Sequence, residues 1–248
     1  MKIIKDIIYS QFEECKLDLY LPEASEFPVM VFFHGGGMES GDKSLSADIV
    51  ENFVENNIGI ASADYRMYPH AKYPEFIDDA SAAVKWISEH INNYSNSKNI
   101  YIAGSSAGAY LAMMLCFDKS YLAKHEIDAN DIKGYIFDSA QPTTHFNVLK
   151  ERGMDTRKVV IDEAAPLYHI DENPDAPPMM IVVSDNDIPN RLEQTYLFLS
   201  TLKQFGYEDK KIVFKLMKGY AHTEYTGCTD VNGKNIYAEM IKDFIMST

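Results

Sequence analysis

Gly104-Ser105-Ser106-Ala107-Gly108 sets one serine between two glycines in the spacing G-x-S-x-G. The β-rich run Asn99 to Ala103 leads into it, and the apolar run Ala107 to Phe117 leads out. A chain that turns this sharply from strand to helix forces the central residue into a strained backbone conformation, and side chains at the flanking positions would clash. Ser106 is therefore a candidate nucleophile. It stands at the carboxyl end of a strand and at the mouth of a helix, whose positive end favours developing negative charge. A serine needs a base, and the base needs a group to orient it. With a nucleophile on such a turn the chain order is serine, acid, histidine. Of the seven histidines, only His222 follows the last predicted strand, in Lys218-Gly219-Tyr220-Ala221-His222. The acid belongs after the run Met179 to Val183, where Ser184-Asp185-Asn186-Asp187 offers two aspartates. Asp187 lies at the tip of that loop and is favoured. Asp185 is the alternative, or the residue that caps a turn.

A second set of candidates is His34-Gly35-Gly36-Gly37, directly after the apolar run Pro28 to Phe33. Consecutive glycines let backbone N–H groups approach a ligand closely. The amides of Gly36 and Gly37, with that of Ala107, are the expected donors to a tetrahedral oxyanion, each worth roughly 2.7–4 kcal/mol. A phosphate loop is the competing reading of Gly36 to Ser44, but Asp42 is inserted before Lys43 and would repel phosphate. His34 is expected to hold the loop through hydrogen bonds rather than to act on substrate. His145 and His169 fall in a proline-rich stretch and are candidates for substrate contact.

These residues need elements to position them. Short β-rich runs alternate with helical stretches, which predicts an α/β fold with a mostly parallel sheet and helices on both faces. Seven strands are expected: Cys15–Leu21, Pro28–Phe33, Ile58–Ala63, Ile100–Ala103, Tyr135–Phe137, Met179–Val183 and Ile212–Leu216. Phe76, Ile77, Ala80, Ala83, Val84, Ile87 and Ile91 recur at helical spacing. So do Leu192, Tyr196, Leu199 and Leu202, and later Ile236, Met240, Ile241, Phe244 and Ile245. Ala107 to Phe117 is apolar all round, as a helix buried on every side would be. The stretch of about 40 residues from 139 to 178 breaks the alternation and is too long for a plain connection. It reads as a small cap or insertion within a single domain spanning residues 1–248. Its Thr143, Thr144, His145, Asn147, Lys150, Glu151 and Arg152 make it look polar, which favours short acyl groups.

The 248-residue chain carries 23 Lys+Arg and 37 Asp+Glu, a net charge of −14. That balance excludes the basic clustering of a nucleic-acid binder and disfavours an anionic membrane surface. No apolar run approaches the ~18 residues of a membrane helix. The N-terminus lacks a signal-peptide core, which suggests a cytoplasmic protein. Cys15, Cys116 and Cys228 are widely spaced, with no zinc or disulfide pattern. No metal or other cofactor is expected. A homodimer is compatible with these features.

Taken together, the blocks resemble an α/β-hydrolase of the hormone-sensitive-lipase-like and bacterial feruloyl- and acetyl-esterase group. The resemblance rests on five blocks. They are His34-Gly35-Gly36-Gly37 with Gly41-Asp42-Lys43; Asp64 to Pro69 with Tyr73-Pro74 and Asp78-Asp79; Trp86; Gly104 to Gly108; and the Asp187 and His222 loops. It implies a serine carboxylesterase with Ser106, Asp187 and His222 as triad, acting on a small-molecule ester without a metal. Met38 stands where the family loop often carries an aromatic residue, and so becomes a candidate wall of the acyl pocket. Two readings compete. One is an arylformamidase-type amidase or a peptidase with the same triad. The other is a binding protein on a hydrolase scaffold.

Overall fold

The structure, a computed structural model, describes residues 1–97, 99–171 and 174–248. Its framework is one sheet of eight strands: β1 (Lys2–Ile8), β2 (Lys16–Leu21), β3 (Val29–Phe33), β4 (Gly59–Ala63), β5 (Ile100–Ser105), β6 (Gly134–Asp138), β7 (Met179–Asn186) and β8 (Ile212–Ala221). Their order across the sheet is β1-β2-β4-β3-β5-β6-β7-β8. The pairs β1/β2 and β2/β4 are antiparallel, and every pair from β4/β3 to β7/β8 is parallel.

The continuous apolar runs follow from burial on both faces. In β3, Val29, Val31 and Phe33 join one core cluster, while Met30 and Phe32 join the other. The first cluster takes in α2 (Glu75–His90), α3 (Ala107–Phe117) and α6 (Arg191–Gln204), and the second takes in α1 (Ala47–Glu55) and α7 (Ile236–Ser247). Two short helices, α4 (Ser120–Ala123) and α5 (Phe146–Glu151), complete the set. Every residue of α3 is buried, as its unbroken apolar sequence requires.

Two elements escape the sequence pattern. Strand β1 is an edge strand whose Ile3 and Ile8 are about half exposed, and a bulge between Ile4 and Ile7 breaks its alternation. Helix α1 has an apolar face of Ile49, Val50, Phe53 and Val54, but at nine residues it is too short for the pattern to recur over several turns. The segment 139–178, of which residues 172 and 173 lie outside the described residues, runs over the amino-terminal half of α3. The Tyr110 hydroxyl there donates to the Ala164 carbonyl at 2.8 Å. The polarity read in this segment is mostly internal. Thr143, Thr144, His145 and Asn147 are buried, and Thr143 and Thr144 donate to Gln194 and Asp162 at 2.8 Å each. Among the described residues, no helix is long and apolar enough to cross a membrane.

Candidate active site

The site forms where β3, β5, β7 and β8 end at the same edge of the sheet. Between β5 and α3 the chain turns within one residue, Ser106, at φ 53° and ψ −112°. That backbone region is costly for a residue with a side chain. The turn is held by the Ser106 amide, which donates to the Asp138 carbonyl at 2.7 Å. The flanking glycines are required by contact. A Cβ on Gly108 would lie 2.0 Å from the Phe33 carbonyl oxygen, and one on Gly104 would lie 2.3 Å from the Gly108 carbonyl.

His222 follows β8 directly. Its Nε2 lies 2.8 Å from Ser106 Oγ, and its Nδ1 lies 2.5 Å from Asp187 Oδ1. The pairing of β7 with β8 makes this possible. The register shifts after Ser184↔Met217, and the next pair is Asn186↔Ala221, so β8 carries extra residues there. The shift sets Asp187 beside His222, each being the next residue after its strand. It also lengthens β8 beyond the expected Leu216, because a bulged strand loses the simple alternation. Asp185 plays a different part. Its Oδ1 accepts from the Gly219 amide at 2.7 Å and pins the bulge.

The Asp187 side chain is almost wholly buried. Burial pushes its pKa up. The His222 contact, the Ile188 amide and the Ser139 hydroxyl outweigh burial, and the carboxyl sits below its ordinary value. Ser139 Oγ donates to Asp187 Oδ2 at 2.9 Å and the Ile188 amide to Oδ1 at 2.7 Å. Behind this pair lies a second carboxylate. Asp138, fully buried at the end of β6, accepts from Ser105 Oγ at 2.7 Å and from the Tyr225 hydroxyl. Burial lifts its pKa to about 6, against those two hydrogen bonds. The buried guanidinium of Arg191 donates to the Ser139 carbonyl and faces both Asp187 and Asp138; burial lowers its pKa to about 10. Ser139, Asp138, Tyr225 and Arg191 do not stand out in the sequence. The one usable signal is that Asp138-Ser139 close an inner parallel strand at the same sheet edge as Ser106.

The glycine loop after β3 faces this group. Gly36 has φ +108°, and a Cβ there would lie 1.9 Å from the Ser40 carbonyl oxygen. Its own carbonyl accepts from the Glu39 and Ser40 amides at 3.1 Å each. Among the described residues, no protein group accepts from the amides of Gly36 or Gly37. Ala107 is the first residue of α3, where an amide has no partner within the helix. His34 braces the loop: its ring stacks on Tyr65 at 4.5 Å, and its Nδ1 meets the Gly35 carbonyl at 2.7 Å. Burial lowers its pKa. Arg66, beneath the loop, is paired with Asp79 through two bonds of 2.8 and 2.9 Å.

Three expected substrate contacts are corrected. Met38 is fully buried, and its carbonyl accepts from the Tyr68 amide at 2.8 Å. It supports the loop and has no surface to offer an acyl chain. His145 is also buried, caps α5 by accepting from the Asn147 amide at 3.2 Å, and is kept neutral by burial with a pKa of about 3. His169 bonds the Glu163 carbonyl at 2.8 Å and lies 3.7 Å from Asp118. Asp118 caps the far end of α3, an 11-residue helix that is about 16 Å long at 1.5 Å per residue. A histidine at that end cannot reach Ser106.

A cavity of about 250 Å³ adjoins the site, with Phe146, Ile188, Gln141 and Gln194 in its walls. Phe146 also packs on Gly37, 2.9 Å from where a Cβ would be, and Ile188 follows Asp187. Among the described residues, no group of three His, Cys, Asp or Glu side chains is placed to hold a metal ion.

The family model described as BD-FAE matches residues 17–149. A probable isoprenylcysteine alpha-carbonyl methylesterase of Arabidopsis thaliana is 33% identical over 111 residues, 44% of this chain and 23% of that protein. Esterase LipI of Mycobacterium tuberculosis is 35% identical over 96 residues, 38% of this chain and 30% of that protein. The chain thus spans less than a third of the length of either relative. Among solved structures, a truncated form of a carbohydrate esterase from gut microbiota superposes with a TM-score of 0.80, covering 100% of this chain and 96% of that one at 16% identity.

Proposed function

The chain belongs to the BD-FAE family of carboxylesterase-type α/β-hydrolases, and from that premise we propose that it is a serine carboxylesterase of short-chain or small aryl esters. One observation carries the proposal: Ser106 Oγ, the His222 ring and the Asp187 carboxylate form a continuous chain of contacts of 2.8 and 2.5 Å at the sheet's carboxyl edge. His222 takes the Ser106 proton as Oγ attacks the ester carbonyl carbon. Asp187 holds the imidazole in the tautomer that leaves Nε2 free to accept, and stabilises the imidazolium that forms. The new oxyanion is held by the amides of Gly36, Gly37 and Ala107, which have no competing acceptor among the described residues. Collapse of the tetrahedral species returns the proton from His222 to the leaving alcohol. Water, activated by the same histidine, then releases the acid and restores Ser106.

Small size supports the short acyl class. The adjoining cavity of about 250 Å³ falls below the roughly 300–1,000 Å³ of sites for drug-sized ligands. The amide nitrogen of Gln194 in its wall suits a hydroxyl-rich alcohol, in keeping with acetyl or feruloyl esters on carbohydrate, whereas the buried Gln141 amide is taken up by Thr143, Thr144 and the Phe146 amide. The test is direct. A fluorophosphonate should label Ser106 in the wild-type protein and nothing in Ser106→Ala, with esterase activity lost in step. Labelling at Ser105, or full activity in Ser106→Ala, would remove the nucleophile. Across p-nitrophenyl esters the rate should peak between acetate and butyrate, since each methylene left unburied forfeits about 0.8 kcal/mol. A rate still rising at palmitate would refute the short-chain assignment.

A further inference from the structure

The cavity beside Asp187 has an unusual charge. The whole chain carries 37 acidic against 23 basic residues. Yet the ten residues that line this cavity include Arg157, Lys158 and Arg191 and no Asp or Glu. The three cations differ in how far they are already matched. Arg191 is buried and engaged with the Ser139 carbonyl, facing Asp187 and Asp138. Arg157 pairs with Asp155 through bonds of 2.9 and 2.7 Å, both groups being solvent-exposed. Lys158 is the remainder. Among the described residues, no carboxylate lies within ion-pair distance of its ammonium. Its exposed ammonium acts on Asp155 only at longer range and is open to a ligand, with the Gln194 amide beside it as a neutral hydrogen-bonding group.

The position of the cavity ties it to the reaction. Ile188 is the neighbour of the triad acid, and its amide bonds Asp187 Oδ1 at 2.7 Å. Phe146 lies between the cavity and Gly37 of the glycine loop. A substrate whose carbonyl oxygen rests on that loop has one end facing this cavity.

We infer that this cavity is a subsite for an anionic group, and that the protein prefers esters whose non-reacting part carries a carboxylate. The inference rests on the esterase reading, because it places the reacting carbonyl at Ser106. The ester is cleaved as described above, and the carboxylate takes no part in bond making. Lys158 acts as the specificity-determining residue. Arg157 acts with it, the Asp155 partner moderating its charge.

Two matched pairs of substrates test this. In 4-acetoxybenzoate against phenyl acetate the carboxylate sits on the leaving alcohol. In mono-4-nitrophenyl glutarate against 4-nitrophenyl butyrate it sits on the acyl part. The readout is the ratio of kcat/KM for the acidic and neutral members of a pair. For one of the two pairs this ratio should fall about three- to fivefold in Lys158→Gln, and about tenfold or more in Lys158→Glu, where the charge is reversed rather than removed; the first is the upper range open to an exposed charge pair. The difference between wild type and variant should shrink when salt rises from about 10 mM to about 1 M, because the screening length falls from about 30 Å to about 3 Å. Comparing variants cancels the long-range repulsion of anions by the acidic chain, which is nearly the same in all of them. If neither ratio moves in Lys158→Glu at low salt, the anionic subsite is wrong even though the esterase stands. A second measurement does not depend on turnover. Calorimetric binding of 4-acetoxybenzoate and of monobutyl glutarate to Ser106→Ala should weaken for one of the two when Lys158→Glu is added. Equal binding of both in the two proteins would overturn the inference. Loss of fluorophosphonate labelling in the wild type would instead overturn the esterase reading.

Discussion

Asp185 and Asp187 stand two positions apart, and geometry divides the work between them. Asp187 touches His222, whereas Asp185 holds the Gly219 amide. Asp187→Asn keeps the shape but favours the wrong imidazole tautomer, and should cost at least about 10²-fold in turnover. Asp185→Asn removes one turn hydrogen bond, worth roughly 0.5–1.5 kcal/mol, and should cost less than about tenfold. Assays at matched folded fraction decide it, and a reversal of the two losses would reassign the acid. From sequence alone the two can only be ranked, because their difference comes from a register shift between strands distant in the chain. Asp138 gives a second residue-level expectation. Its folded pKa, near 6, lies above its ordinary 3.8, so the folded protein keeps a proton that the unfolded chain releases. Its contribution to stability is therefore complete below about pH 4 and is lost as the pH rises through about 6. Asp138→Asn should flatten the decline of melting temperature across that interval, since the amide cannot ionise and can still accept from Tyr225. Asp187, shifted the other way, loses its contribution only below its ordinary range and does not enter this window. An unchanged slope in Asp138→Asn would mean that another group titrates there.

At the scale of elements, the junction of β3, β5 and α3 is the least tolerant part of the fold. Gly108→Ala would drive a methyl group into the Phe33 carbonyl at 2.0 Å, where backbone, not a movable side chain, is in the way. A loss of at least about 3 kcal/mol is expected, at the severe end of overpacking. Gly153→Ala is the matched control, because its Cβ meets nothing within 4 Å and only its φ of +67° is unfavourable. It should cost about 1 kcal/mol, as one residue in the left-handed region does. Denaturant unfolding would compare them, and equal losses would show that the close approach is relieved by a shift of α3. This junction was legible in the sequence because G-x-S-x-G between an apolar strand and an apolar helix has few other uses. The same holds for the glycine loop and for His222. Legibility failed where contact rather than pattern decides. Met38, His145 and the two threonines look available in the sequence and are buried in the structure. Ser139 and Arg191 look ordinary and lie against the triad acid. Strain follows the same line: of eight residues other than glycine with positive φ among the described residues, Met38, Ser106, Ser139, Asn190 and Thr223 belong to the loops around the site.

Across the whole molecule, a net charge of −14 repels itself. Its ion pairs are mostly exposed, so salt weakens them little in absolute terms while it screens the excess negative charge more broadly. The melting temperature should therefore rise by a few degrees between about 10 mM and about 150 mM sodium chloride at neutral pH. A fall would show that local pairs matter more than the net charge. The order of the chain has one more consequence. Ser106 and its glycine loop come early, but their base follows the strand at the far edge of the sheet, 116 residues (222 − 106) after the serine. Helix α7, which comes last, is bound to α1 near the beginning through Asn235–Asp48 and Asn52–Glu239, at 2.9 and 2.8 Å. Chains fold largely from the amino terminus as they leave the ribosome. A nascent chain thus carries its serine through the synthesis of those intervening residues without the imidazole that activates it. Reactivity appears only when the last strand has zipped onto β7, so a fluorophosphonate applied to stalled chains of increasing length acts as a clock for completion. Labelling should begin abruptly once residue 222 can dock, and earlier lengths should stay silent.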